Sequence, residues 1–510
     1  MELRADESPF TGGSAIVFYI AAALTLAQIL TARRYGYFRD ELYYLACSEH
    51  LAAGYVDQPP LIALIAWFER HVFGSGLIAL RLLPALAAGG KVLLTGVIAR
   101  QFGARRWAQV LAALAVVFAP LYLALDHLLT MNAFEPLLWM GCAYVVLRLI
   151  RTGNRKLWLW FGVLSGIGLE NKWSMAFFGA GIVVGLLFTP ERRQLASKWI
   201  WIGGAIAFLI WLPNLIWNVQ HHWPFFELMH NIRMGNRDPR LNPLMFTLEQ
   251  AIFMNAVGFL LVLAGVWFFF SAAGRRDRVL GWAFLTVYGL MMVLHGKAYY
   301  VAPLYPMMFA AGAVMLERWW SGHSGPRVAY TIALIAVGAA LLPQFLPVLP
   351  VNDLLAYQQK TGLRPPKIEN QNTGPLNQLY ADMYGWEEMT RETARVYHSL
   401  PPEVQAKTAI YAANYGEAAA IDFFGPKYGL PAAISAHQSY WFWGPRQYTG
   451  ESIILLGDSL EGDRNKCESV TVAGRVQHPL SRRDEWFDIL LCNHLKWNLQ
   501  TIWPEIKHWD

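Results

Sequence analysis

Apolar runs long enough to cross a bilayer recur from residue 14 to residue 347. They fall near 14–33, 76–99, 106–125, 130–150, 157–170, 173–189, 199–219, 250–271, 279–296, 299–317 and 327–347, eleven in all, and each predicts a membrane-spanning helix. Segments 157–170 and 173–189 are individually short, with Glu170-Asn171-Lys172 at their junction. They form either a tight helical pair or one full and one partial span. After about residue 348 the pattern changes. Pro343, Pro347, Pro350, Pro365 and Pro366 lead into ordinary soluble composition. Trp386 to Leu400 and Gly416 to Phe424 read as helices. Thr408–Ala413, Ala432–Ser435, Ser452–Leu456, Ser469–Ala473 and Phe487–Cys492 read as strands. The expected architecture is an all-α polytopic membrane domain over 1–347, followed by a small α/β domain over 348–510. Asn414-Tyr415-Gly416-Glu417 after the first strand is not a phosphate-binding motif, so nucleotide binding is not expected.

Composition agrees with that division. Hydrophobic residues make up 55% of the chain and charged residues 15%, where a soluble protein carries about 25% charged. A net charge of +6 would suggest nucleic acid in a soluble chain, but membrane proteins collect Lys and Arg in cytoplasmic loops. The basic clusters here are Arg100, Arg105 and Arg106; Arg148, Arg151, Arg155 and Lys156; Arg192, Arg193 and Lys198; Arg275, Arg276 and Arg278; and Arg318 and Arg327. They occupy alternate loops, which places the N-terminus inside. Residues 34–75, 126–129, 170–172, 220–249, 297–298 and everything after about 348 are then outside. Arg233, Arg237 and Arg240 break this rule locally. They either hold an anionic lipid or acceptor or simply solvate their loop. The run Ala15 to Leu30 follows an acidic start and lacks a small-residue cleavage site, so it reads as a span and not a leader. Cys467 and Cys492 share the external domain and are the candidates for a disulfide in an oxidising compartment.

Polar residues that suit no lipid-facing role gather at the external ends of the spans. They are Asp40, Glu41, Asp57, Asp126, His127, Asn132, Glu135, Glu170, Lys172, Glu249, His295 and Lys297. Carboxylates in such a place can deprotonate an acceptor. Lys172, Lys297, Arg39 and Arg81 can hold an anionic leaving group such as a lipid phosphate. Tyr and Trp at the same level, Tyr299 among them, can pack against a sugar or a polyprenyl chain. Each residue also has a structural reading. Asp40 can cap a helix, Asp57 can begin the turn before Pro59-Pro60, Lys297 can snorkel, and Arg81 can serve the fold. A transporter of lipid-linked sugars would also collect charges, but it should spread them through the midplane and show internal repeats, which this chain does not.

The motifs Arg39-Asp40-Glu41, Asp57-Gln58-Pro59-Pro60-Leu61, Ala79-Leu80-Arg81-Leu82-Leu83-Pro84 and Leu129-Thr130-Met131-Asn132 resemble the dolichyl-phosphate-mannose–protein mannosyltransferase superfamily, as does Gly296-Lys297-Ala298-Tyr299-Tyr300 continuing to Pro306. Its bacterial branch includes the aminoarabinose transferases acting on lipid A. The resemblance covers roughly residues 14 to 320. It implies a GT-C glycosyltransferase fold and a polyprenyl-phosphate sugar donor. It implies Asp40 as the catalytic carboxylate, the general base, and Asp57 and Gln58 at the donor site; Glu41, its neighbour, points in another direction on a helix and reads as support. One departure stands out: many members carry Asp where this chain has Asn132. Asp126 or Glu135 then supplies a second carboxylate, or none is needed; a non-catalytic relative is the further alternative. The implied protein is an inverting glycosyltransferase of the bacterial inner membrane, acting on an envelope lipid, glycan or protein acceptor, with its C-terminal domain in the periplasm. No cofactor is called for, and a divalent ion between paired acids stays open.

Overall fold

The computed structural model describes residues 12–235, 241–363 and 369–510. Arg237, Arg240, Pro365 and Pro366 lie outside the described residues. The chain divides into two compact units. One holds Met1–Arg34, Ile78–Leu215 and Arg240–Leu363; the other holds Tyr35–Leu77, Ile216–Pro239 and Arg364–Asp510.

The first unit is built from helices, and helices cover all eleven apolar runs. Among the described residues, six are long and apolar enough to cross a bilayer alone: Gly13–Thr31, Leu77–Gln101, Met131–Thr152, Lys198–Gln220, Ala298–Trp319 and Ser324–Gln344. A bent pair brings the number to seven if it counts as one span. The chain is thus a multi-pass membrane protein. The other apolar runs form shorter helices, and their breaks have local causes. The run at 106–125 stops at Val117 and resumes as Pro120–Leu125, where Pro120 has no N–H to continue the ladder. The run at 250–271 is not one straight helix. Pro243–Phe253 meets Ala256–Phe270 at 112°. Asn255 sits at φ 65° in the bend, and its amide oxygen accepts the Val257 N–H at 3.1 Å. Its amide nitrogen donates to the Leu334 carbonyl at 3.0 Å. The 157–189 region is a helical pair, Leu157–Asn171 and Met175–Leu187.

Helices in this unit approach closely where glycine allows it. A Cβ on Gly162 would lie 2.1 Å from the Gly203 carbonyl oxygen, and one on Gly203 would lie 2.2 Å from that of Trp158. Small residues let helix backbones touch where no hydrophobic effect drives them together. At the Arg-rich ends, Arg151 makes a two-pronged pair with Asp277, at 2.9 and 3.1 Å. Glu317 accepts the N–H groups of Arg105 and Ala108 at 2.8 and 3.2 Å, capping the helix Arg106–Val117.

The second unit combines the helices Arg39–Glu49, Leu61–Phe73 and Pro224–Met234 with a four-stranded sheet. Strands β1 (Thr408–Ala412), β2 (Ser452–Leu456), β3 (Cys467–Val476) and β4 (Phe487–Leu495) are ordered β1-β2-β4-β3. β1 runs parallel to β2, and the other pairings are antiparallel. All five residues of β2 are buried, as suits a central strand, whereas β3 at the edge is largely exposed. The run 432–435 is not a strand; it contributes a single bridge between Ile434 and Tyr411. A disulfide joins Cys467 on β3 to Cys492 on β4. The core beneath the sheet includes Ile453, Leu455, Leu490, Leu499 and Trp503.

Candidate active site

The second unit holds the first acidic group. Asp40 lies in the first turn of the helix Arg39–Glu49, where the helix dipole favours a negative charge. Its side chain is 31% exposed. The Tyr415 hydroxyl donates to Asp40 Oδ1 at 2.8 Å, and the Arg39 guanidinium is 3.8 Å from the same oxygen. Among the described residues Oδ2 has no protein partner. Glu41, one residue on, points elsewhere. It is fully buried, and Oε2 accepts the Phe38 N–H at 2.9 Å, so Glu41 caps this helix and is not placed as a second catalytic carboxylate.

Asp57 is arranged like Asp40. The Tyr43 hydroxyl donates to Asp57 Oδ1 at 3.0 Å and accepts the Ser439 N–H at 3.3 Å. The rings of Tyr43 and Tyr415 pack at 4.6 Å. Two carboxylates are therefore each held by a tyrosine hydroxyl, and the two tyrosines hold each other. Gln58 is buried inside its own loop, with its amide nitrogen 3.6 Å from Cys47 Sγ. Beneath Asp40, the Asp382 carbonyl accepts the Arg39 N–H at 3.1 Å, and its carboxylate pairs with Arg482 at 2.8 Å. Burial pushes the Asp382 carboxyl up to about 6 against the pull of Arg482 and Arg39.

The first unit holds the second group. Lys172, just past the helix Leu157–Asn171, donates to Asn132 Oδ1 at 2.7 Å and to Glu135 Oε2 at 3.3 Å. The Ser174 hydroxyl donates to Glu135 Oε1. The Lys172 ammonium lies 4.4 Å from the Tyr300 ring and 5.5 Å from the Tyr299 ring. Lys297 is half-buried where the turn Ala298–Leu304 begins. Asn132 thus serves as a neutral acceptor for a lysine and not as a weakened base.

Two other candidates sit in the fold and not at an open site. Asp126 binds Lys91 through both oxygens, at 2.7 and 2.8 Å, and both side chains are 1% exposed. An acid so committed is not an available base, and its stabilising partner is a span lysine. Arg81 is 2% exposed; it donates to the Ala32 carbonyl at 2.8 Å and sits 3.1 Å from His127 Nε2. Tyr43, Tyr415 and Lys91 were not singled out as site groups by sequence reasoning. Asn414 and Glu417 do carry a readable capping box that sets Tyr415 at the first helical position.

Among the described residues one trio brings three metal-ligand atoms within 4.8 Å: His437, His508 and Asp510. Its hydrogen bonds argue against a ligand set. The Tyr415 N–H donates to His437 Nδ1 at 3.1 Å, so that nitrogen carries the lone pair. Nε2 then bears the proton and donates to Asp510 Oδ1 at 3.0 Å. Burial lowers His437 to about 4, which keeps the ring neutral. Hydrogen bonds from His437 and His508 hold the Asp510 carboxyl far below its usual range.

The family model described as dolichyl-phosphate-mannose-protein mannosyltransferase matches residues 57–217. A lipid A galacturonosyltransferase, RgtD of Rhizobium johnstonii, is 28% identical over 44% of this chain. A lipopolysaccharide core galacturonosyltransferase of the same organism, RgtA, is 24% identical over 68% of it. The chain spans about half the length of the first (49%) and 70% of the second. ArnT from Cupriavidus metallidurans, crystallised with undecaprenyl phosphate, superposes with a TM-score of 0.60 at 14% identity, over 94% of this chain and 98% of that one. The Archaeoglobus fulgidus oligosaccharyltransferase superposes at 0.50 and 15% identity, over 82% of this chain and 62% of its own. At such identities these likenesses show the fold, which is GT-C. The sequence likeness to the dolichyl-phosphate-mannose-protein mannosyltransferase family thus lies within residues 57–217, and the fold is the one shared with ArnT.

Proposed function

We propose that this protein is an inverting glycosyltransferase of the bacterial inner membrane. It takes a sugar from a polyprenyl phosphate and transfers it to a saccharide of the lipid A or lipopolysaccharide core class on the periplasmic side. The single observation that carries the reading is Asp40. It is a part-exposed carboxylate at a helix start, with one oxygen held by Tyr415 and Oδ2 open to an acceptor hydroxyl.

In the reaction, the acceptor oxygen attacks the anomeric carbon while its proton passes to Asp40 Oδ2. The bond from that carbon to the phosphate oxygen breaks, and its electron pair leaves on the phosphate. Taken by itself, the Lys172 cluster of the first unit offers a cation of the kind that holds a phosphate. Glu135 and Asn132 hold its ammonium. Asp57, set by Tyr43, belongs to donor binding. Support for donor and acceptor comes from the galacturonosyltransferase activities of the Rhizobium relatives and from the undecaprenyl phosphate bound to ArnT.

The test is mass spectrometry of envelope lipids from a deletion strain complemented with wild type or with Asp40→Asn. Loss of one glycosyl residue from lipid A or core, restored by wild type and not by Asp40→Asn, is expected. An unchanged lipid A and core profile in the deletion strain contradicts this acceptor class.

A further inference from the structure

We infer that Tyr415 is the positioning residue for Asp40, locked in place through His437 and Asp510. This rests on the reading of Asp40 as the base. Tyr415 and Asp40 lie 375 positions apart, yet their hydrogen bond of 2.8 Å is the shortest contact the Asp40 carboxylate makes. The bond engages Oδ1, beside Arg39 at 3.8 Å, and restrains rotation of the carboxylate, which leaves Oδ2 for the acceptor.

Tyr415 is itself over-determined. It opens the helix Tyr415–Phe424, whose start is fixed because Asn414 Oδ1 accepts the N–H groups of Gly416 and Glu417 at 2.9 and 3.1 Å. Glu417 Oε2 returns to the Ala413 N–H at 2.9 Å. The ring lies between neighbours on several sides: Tyr43 at 4.6 Å, the Arg39 guanidinium at 4.8 Å and the His437 ring at 5.2 Å, stacked within 10°. Arg39 can lie there only because residue 416 is glycine; a Cβ would meet Arg39 Cγ at 2.4 Å.

The backbone is anchored as firmly as the ring. The Tyr415 N–H donates to His437 Nδ1, and His437 Nε2–H donates to Asp510 Oδ1. Asp510 is tied in turn by the Gln438 side chain, which donates to its backbone oxygen at 2.9 Å. A tyrosine kept only for packing would need neither its hydroxyl on a part-exposed carboxylate nor this buried string behind it.

The experiment is steady-state transfer by the full-length protein in detergent, with a synthetic polyprenyl-phosphate sugar as donor. The variants are Tyr415→Phe, Asp40→Asn and the double variant, each checked for folding by thermal melting. Tyr415→Phe keeps the ring and loses only the hydroxyl. It is expected to lower kcat about tenfold, the scale of one hydrogen bond to a charged group, with both KM values within about twofold. It is expected to add nothing to the residual rate of Asp40→Asn, because the two act through one group. Asp510→Asn, which leaves the Tyr415 hydroxyl in place, is expected to lower kcat about threefold with the same unchanged KM. Normal kcat in Tyr415→Phe beside a crippled Asp40→Asn overturns the inference and leaves the role of Asp40 intact. An equal further loss in the double variant also overturns it. Normal kcat in Asp40→Asn overturns the reading beneath it.

Discussion

At the scale of single residues, Asn132 marks how this chain departs from the pattern of the family it resembles. Its amide oxygen accepts the Lys172 ammonium at 2.7 Å, beside Glu135 at 3.3 Å. One carboxylate already balances that lysine. A second would leave the cluster net negative and hostile to a phosphate. Asn132→Asp is therefore expected to raise KM for the polyprenyl-phosphate donor about fivefold to tenfold with a smaller change in kcat, read by initial rates. His437 supplies a test by pH. Its folded value is about 4 because burial opposes its charge. In the unfolded chain it takes a proton near its ordinary value of about 6.5. Stability is therefore lost as pH falls from about 6.5 to about 4, because only the unfolded state gains the proton. His437→Asn lacks that titration. The stability advantage of wild type over the variant is expected to shrink over this window by up to about 3 kcal/mol, measured by melting at stepped pH. The polarity of Asp40, Asp57 and Lys172 was legible in the sequence, because charges beside apolar runs stand out. Their partners were not. Tyr415 and Tyr43 look like ordinary aromatics until folding brings hydroxyls to carboxylates. Glu41 and Asp126 have the same chemistry as Asp40, and only burial against Phe38 N–H and Lys91 tells them apart.

At the scale of elements, apolar length predicts a helix over each of the eleven runs, because a backbone in lipid must satisfy its own hydrogen bonds, but it does not predict the polar helix Val351–Thr361 of the first unit. It did not identify where helices break. The 112° bend depends on Asn255, whose side chain replaces ladder bonds with ones to Val257 and Leu334. The strand expected at 432–435 fails because its residues make one bridge and then turn away. Close helix contact is the other element-scale property. Leu157–Asn171 and Lys198–Gln220 meet backbone to backbone at Gly162 and Gly203. Gly203→Leu is expected to cost about 1–3 kcal/mol, since the Trp158 carbonyl cannot yield as a side chain would. Thermal stability of the purified variant in detergent checks this; a melting curve equal to wild type would show that the pair tolerates separation.

At the scale of the whole molecule, alternating basic loops give the chain a direction in the membrane. On the orientation we propose from them, the α/β region faces the periplasm. Trp497 is 52% exposed in that region, while the unpaired cysteines Cys47 and Cys142 are buried. Trp497→Cys is expected to react with a membrane-impermeant maleimide in intact spheroplasts. Labelling only after lysis would reverse the orientation. The fold is shared with ArnT over 94% of the chain at 14% identity, so the architecture survives almost complete replacement of side chains. What the chain does must therefore be argued from its site residues. The most direct measurement is single-turnover transfer from a radiolabelled polyprenyl-phosphate sugar to lipid A or core acceptor by reconstituted protein, wild type against Asp40→Asn. The role of Asp40 as base requires transfer by wild type and a fall of at least about a hundredfold in the variant, with folding intact. Transfer by Asp40→Asn at the wild-type rate would contradict it.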